Sequence, residues 1–177
     1  MNLSVLQNEV MNASDNILIR EKLIDFEGQI KKQEGAFVGD NEYCPLKHSF
    51  SDGIYVREIS IPANTYIVGK IHLHDHPNFL MSGKVDVVTE NGIETLEGPL
   101  SMISPKGTKR ALRTITSCVW ITVHKNPTNT QDLSELEKIV IADSYEEYDK
   151  FIASQKRLSF VNKILNKFKI RRLQLLG

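Results

Sequence analysis

Three of the five histidines fall at alternate positions in Lys70-Ile71-His72-Leu73-His74-Asp75-His76, within a stretch that otherwise has the composition of β structure. Residues two apart on a strand point to the same face, so the spacing predicts that His72, His74 and His76 converge on one pocket. Imidazoles gathered on one face are candidate metal ligands, because each neutral ring offers a nitrogen lone pair. The same stretch also fits a solvated loop between two strands, and Pro77 stands where a strand would bend. In the metal reading His72 and His76 are the first two ligands, and His74, Glu58 or His124 completes the shell. Two imidazoles plus a carboxylate suit Zn, Fe(II), Mn or Ni, and an open coordination position permits oxygenase, isomerase or hydrolytic chemistry.

Positioning such a site falls to a run of short strands. Ile54 to Ile61 alternates apolar and polar residues and stops at Pro62-Ala63-Asn64. Thr65 to Val68 leads into the histidines. Lys84 to Thr89 and Ile93 to Leu96 flank Glu90-Asn91-Gly92, and Asn-Gly between alternating runs is a strong hairpin signal. Leu100 to Ser104, Arg110 to Thr114 and Cys118 to His124 complete about eight strands, with no helical segment between them. Close, regular spacing of this kind predicts a small antiparallel barrel or double-sheet roll, whose mouth gathers inward side chains from several strands.

Helical segments flank the strands. Before residue 35 the chain has no proline and carries Ile17, Leu18, Leu23, Ile24, Phe26 and Ile30 at amphipathic spacing, with Asp15 or Asn16 as the cap. That helix serves equally as a layer on its own domain or as an oligomer contact. After the Asn126-Pro127 linker, Asp132 to Ile141 predicts a short helix, and Ser144 with Glu147 has capping-box spacing for a longer one. The division expected is a helical extension over 1–43, a barrel over 44–125 and a basic helical extension over 126–177.

The 177 residues balance 22 basic against 22 acidic side chains, so no global field points to nucleic acid. The balance hides an asymmetry. From Lys150 onward there are eight Lys or Arg and no Asp or Glu, leaving 14 basic against 22 acidic residues before it. The tail has three readings: a helix on an anionic membrane, a nucleic-acid contact, or a helix docked on a partner or on its own acidic body. Two cysteines, Cys44 and Cys118, form no disulfide framework, and no apolar run is long enough to span a bilayer. A soluble cytosolic chain with reduced thiols is expected.

The histidine stretch resembles the first cupin motif, H-x-H, three or four residues, E, six residues, G. Gly83 matches the glycine, His76 falls on the glutamate position, His72 on the second histidine and Lys70 on the first. Gly98 through Pro105-Lys106-Gly107-Thr108-Lys109-Arg110 resembles the second motif with one extra residue, and Arg110 stands where the ligand histidine would be. The chain is more closely similar to cupin-like proteins of tailed bacteriophages. That likeness runs over about residues 44 to 145, through Cys44-Pro45-Leu46-x-His48, Gly53-x-Tyr55-x-Arg57-Glu58, Gly69-Lys70-Ile71-His72, Thr108-Lys109-Arg110 and Trp120-x-Thr122-Val123-His124. The resemblance implies a mainly β, cupin-like (double-stranded β-helix or jelly-roll) barrel with N- and C-terminal helical extensions, forming a homodimer or larger. It implies an infected bacterial cytoplasm, or a virion, as the setting.

Three functions follow from that alignment. One divalent transition metal (Fe, Mn, Ni or Zn) is held by the histidines. Alternatively, Lys70, Arg110 and Arg57, with neutral histidines and Tyr55, bind a small anionic ligand, since Arg forks onto phosphate or carboxylate and Lys acts as a point charge. A nucleotide signal of host defence is one such anion. In the third reading the barrel is an inert scaffold and the helices contact virion proteins.

Overall fold

The computed structural model describes residues 16–89 and 92–174. The expected cap at Asp15 lies outside them, as do Glu90 and Asn91 of the hairpin turn. The described residues form eleven strands: β1 (Leu46–Ser51), β2 (Ile54–Ile61), β3 (Tyr66–Val68), β4 (Ile71–His72), β5 (His76–Ser82), β6 (Lys84–Thr89), β7 (Gly92–Glu97), β8 (Leu100–Ser104), β9 (Arg110–Thr114), β10 (Cys118–Lys125) and β11 (Ile141–Ala142). Among the described residues three helices flank them: α1 (Asn16–Ile30), α2 (Leu133–Val140) and α3 (Tyr145–Gln174).

The strands form a five-stranded sheet in the order β1-β2-β10-β5-β8, a four-stranded sheet β3-β9-β6-β7 and a two-stranded ladder β11-β4. All pairings are antiparallel. Strict alternation sets the faces. On β10, Cys118, Trp120, Thr122 and His124 are buried while the residues between them are not. Ile61, Leu80, Val85, Val87, Leu96, Leu112 and Trp120 pack together as the core between the two larger sheets. The result is a cupin-like barrel of jelly-roll type with helical extensions.

Gly83, the motif glycine, joins β5 to β6 at φ +93°, where an added Cβ would run into the Ser117 carbonyl and Cys118. A side chain there meets both the left-handed backbone and the neighbouring strand.

α1 belongs to its own domain. Ile19, Leu23 and Phe26 are buried against Val88 and Ala111, which alternate to the outer side of the four-stranded sheet. Each such side chain contributes about 2 kcal/mol of apolar burial. The helix is also pinned electrostatically. Lys109, only 5% exposed, places Nζ 2.8 Å from Glu27 Oε2 and donates to the Gly69 carbonyl at 2.9 Å. Burial pushes the Glu27 carboxyl up, but hydrogen bonds and charge from Lys109 and Lys31 outweigh it and hold it below its ordinary value.

Both C-terminal helices are capped, the second at the Ser144 that its sequence predicts. Asp132 Oδ1 accepts from the Ser134 and Glu135 amides, and Ser144 Oγ from the Glu147 amide. Glu147 itself reaches back to the amide of Asp143, one residue before the reciprocal position of a capping box. Among the described residues no helix is long and apolar enough to cross a membrane.

Glu27→Gln leaves the buried Lys109 ammonium without its counter-charge. It is expected to lower the unfolding free energy by about 3 kcal/mol in urea titration. Glu27→Leu combined with Lys109→Met is expected to recover most of that loss.

Candidate metal centre and its cationic rim

The site lies where the ladder β11-β4 meets the mouth of the barrel. His72 ends β4, His76 opens β5 and His124 sits near the end of β10. One ring nitrogen from each lies within 4.8 Å of the others. Ring centroids are 4.1 Å apart for His72 and His76, 4.7 Å for His76 and His124, and 5.0 Å for His72 and His124.

β4 is two residues long and has little stability of its own, so its place is set by neighbours. Ile141 pairs with His72, the Val140 carbonyl accepts from the Leu73 amide at 2.8 Å, and the Gly107 amide donates to the His72 carbonyl at 2.8 Å. Asp75 accepts from the Lys106 amide at 2.7 Å, closing the bend over residues 73–75. Gly107 has φ +83°, and a Cβ there would stand 2.7 Å from the Tyr148 ring, so α3 closes directly over the turn.

The alternation expected over His72, His74 and His76 requires a continuous strand, and the chain bends between β4 and β5. His72 and His76 meet; His74 does not join them. It turns toward α3, its ring edge-on to Phe151 at 5.4 Å. Its contribution is its carbonyl, which accepts from His76 Nδ1 at 3.2 Å. That bond fixes the tautomer and leaves the lone pair on His76 Nε2. Both His76 Nε2 and His72 Nδ1 are buried without a hydrogen-bond partner. The third donor is His124, one of the three candidates. Glu58 lies on the opposite side of β2 from Tyr55, Arg57 and Ile59 and stays outside the cluster.

All three rings are held neutral. Burial pushes His72 well below the ordinary imidazole value, and His76, His124, Arg110 and Arg57 push the same way. His124 is lowered to about 3 by burial, His76, Arg57 and His74. His76 is lowered by burial and Arg110, against the opposing effect of its bond to the His74 carbonyl. Neutral, clustered imidazoles with unshared nitrogen lone pairs are the donor set that Zn, Fe(II), Mn or Ni takes, so the residues fit a metal.

Two guanidiniums border the cluster. Burial works against both charges; Asp40 and Glu137 act favourably on Arg57, and Glu94 on Arg110. Neither forms a salt bridge with a described carboxylate. Arg110 Nη2 donates to the buried Ser104 hydroxyl. Ser104 also receives Asn78 Nδ2 at 2.5 Å, and Asn78 Oδ1 accepts from Trp120 Nε1 at 2.9 Å. This chain fixes the β5 segment behind His76. Tyr55 stacks on His124 at 6.0 Å and shares a 2.7 Å hydrogen bond with His48 Nδ1. Lys70 is exposed, one residue before β4, and does not line the pocket.

Sequence reasoning did not single out Asn78, Ser104 or His48 as part of the site. Asn78 had a signal in strand parity, two residues after His76 on β5, whereas Ser104 and His48 reach the site through cross-strand register with His76 and Arg57.

No protein-family model and no curated protein matches the sequence. Among solved structures the fold is similar to KdgF from Halomonas sp. at 11% identity, covering 58% of this chain and 95% of that one with a TM-score of 0.44. It is similar to ectoine synthase from P. lautus at 13% identity, covering 56% and 74%, TM-score 0.43. A cupin superfamily protein from Desulfitobacterium hafniense matches at 10% identity over 51% and 83%, TM-score 0.39. The likeness is one of barrel type.

Protonation of the triad opposes folding in a defined window. Unfolded histidines take up protons near pH 6.5, whereas folded His124 does so only at about 3. The stability this neutrality allows is therefore complete above about pH 6.5 and lost as pH falls from there toward 3. The slope is about 1.4 kcal/mol per pH unit for each histidine neutral only when folded. Thermal melts of metal-stripped protein between pH 7.5 and 5 are expected to show this fall, and His124→Asn to show a shallower one.

Proposed function

We propose that the protein is a metal-binding cupin-like protein in which His72, His76 and His124 hold one divalent transition metal and Arg57 and Arg110 grip a small anionic ligand beside it. The observation that carries this reading is the pair of orphaned nitrogens, His72 Nδ1 and His76 Nε2, buried within one cluster of neutral rings. Buried polar atoms without partners are uncommon and cost about 1–3 kcal/mol each. A cation accepts their lone pairs; a proton is excluded by burial and the arginines.

The anion follows from charge balance. A dication held by three neutral ligands next to two guanidiniums concentrates like charge in a low-dielectric mouth. The triad contains no carboxylate to offset it. A carboxylate or phosphate group between metal and guanidiniums removes that repulsion, and Arg forks suit both groups. When bound, the metal would supply Lewis acidity toward such a ligand. Tyr55 and His124 wall the pocket, and the Asn78–Ser104–Arg110 chain orients one fork. The setting we propose, an infected bacterial cytoplasm, rests on the motif set spread over residues 44 to 145.

Elemental analysis of untagged protein purified without chelator is expected to find one Fe, Mn, Ni or Zn per chain. His72→Ala with His76→Ala is expected to abolish that retention while the far-UV circular dichroism of the barrel persists. Retention unchanged in the double variant would refute the site. Arg57→Met is expected to keep the metal and weaken inorganic phosphate binding by roughly 1.5–3 kcal/mol, read by calorimetry.

A further inference from the structure

Strand register sets the two guanidiniums on opposite flanks of the triad. In the order β2-β10-β5-β8 the strands that carry His124 and His76 lie in the middle. Arg57 of β2 pairs with Thr122 of β10, two residues before His124, and Tyr55 pairs with His124 itself. On the other flank His76 of β5 pairs with Ser104 of β8, whose hydroxyl accepts from Arg110 Nη2. Successive strands lie about 4.8 Å apart, so roughly 14 Å separates the backbones of β2 and β8. Arg57 thus comes to the mouth from the β2 side, and Arg110, rooted in the facing sheet, from the β8 side.

The electrostatics divide along the same line. Besides burial, Arg57 disfavours the proton on His124, Arg110 that on His76, and both that on His72. Each guanidinium also has its own polar neighbours. His48 lies across from Arg57 on β1 and shares its hydrogen bond with the Tyr55 hydroxyl, whereas Arg110 joins Ser104 and Asn78. Neither charge is neutralised within the mouth. Asp40 and Glu137, which act on Arg57, and Glu94, which acts on Arg110, are exposed and form no ion pair with either.

We propose that the ligand is a small molecule with an anionic group at each end, spanning the triad from Arg57 to Arg110. This rests on the reading of the mouth as a metal and anion site and names the ligand class. An Arg fork engages one carboxylate or phosphate through parallel N–H···O bonds. A ligand with a single such group fills one fork and leaves the other half-buried guanidinium beside the metal without a counter-charge. A second anionic group supplies it, and a dianion offsets twice the charge that a monoanion does.

Calorimetric titration of untagged protein carrying its metal tests this with succinate, glutarate and adipate against butyrate, an acid of similar length with one charge. The best-fitting dicarboxylate is expected to bind about tenfold tighter than butyrate or more. Arg57→Met and Arg110→Met are each expected to erase that advantage while elemental analysis still finds the metal. Arg110→Lys, which keeps the charge without the fork, is expected to retain part of it. Metal retained, with no dicarboxylate tighter than butyrate, overturns this inference and leaves the reading of the site standing. So does an advantage unchanged in both Met variants, which would mark chelation by the metal alone. A chain that retains no metal overturns the underlying reading and this inference together.

Discussion

Three imidazole nitrogens within 4.8 Å of one another, buried at the barrel mouth beside two guanidiniums, cannot all carry protons. Mutual repulsion, the arginine charges and the loss of hydration act in the same direction. The mouth is therefore built around neutral rings whose lone pairs point inward. The bond from His76 Nδ1 to the His74 carbonyl is the clearest expression of that constraint, since it decides which nitrogen keeps its lone pair. The buried Trp120–Asn78–Ser104–Arg110 chain supplies the remaining polar order, each member satisfied by the next.

That geometry depends on pieces of chain that are weak alone. A two-residue strand carries His72, and it is held through β11, the Gly107 turn and Asp75. Because β11 leads directly into α3, and Tyr148 of α3 closes over Gly107, the C-terminal region is part of the site's framework. Helix α1 plays the corresponding part on the other sheet, where Glu27 pairs with the buried Lys109 and joins it to the segment between β8 and β9. A helix at each end thus braces the loops around the mouth.

The outer side of the five-stranded sheet is apolar on β5 for a reason distinct from the site. Strand alternation that turns His76 and Asn78 inward necessarily turns Pro77, Phe79 and Met81 outward. An apolar outer face on those strands is therefore a separate property of the sequence, not a by-product of core formation.

Much of the barrel was legible in the sequence. Alternation marked β2, β6 and β10, and the hairpin pair of β6 and β7 was marked by Asn-Gly. His72 and His76 stood out by residue type and local spacing, whereas Arg57 and Arg110 entered through the motif resemblance. The orientation of His74 was not legible, since the alternation rule holds only inside a continuous strand and the bend at 73–75 is made by Asp75, Lys106 and Val140. Lys70 and Lys109 show the same limit: the exposed one was assigned to the pocket, and the buried one binds Glu27. The sequence by itself determined an antiparallel barrel, a cluster of histidines and a basic tail, all properties of local pattern. Only the tertiary structure decided that His124 completes the triad and Glu58 does not, because strand register across the sheet sets which distant side chains share a face.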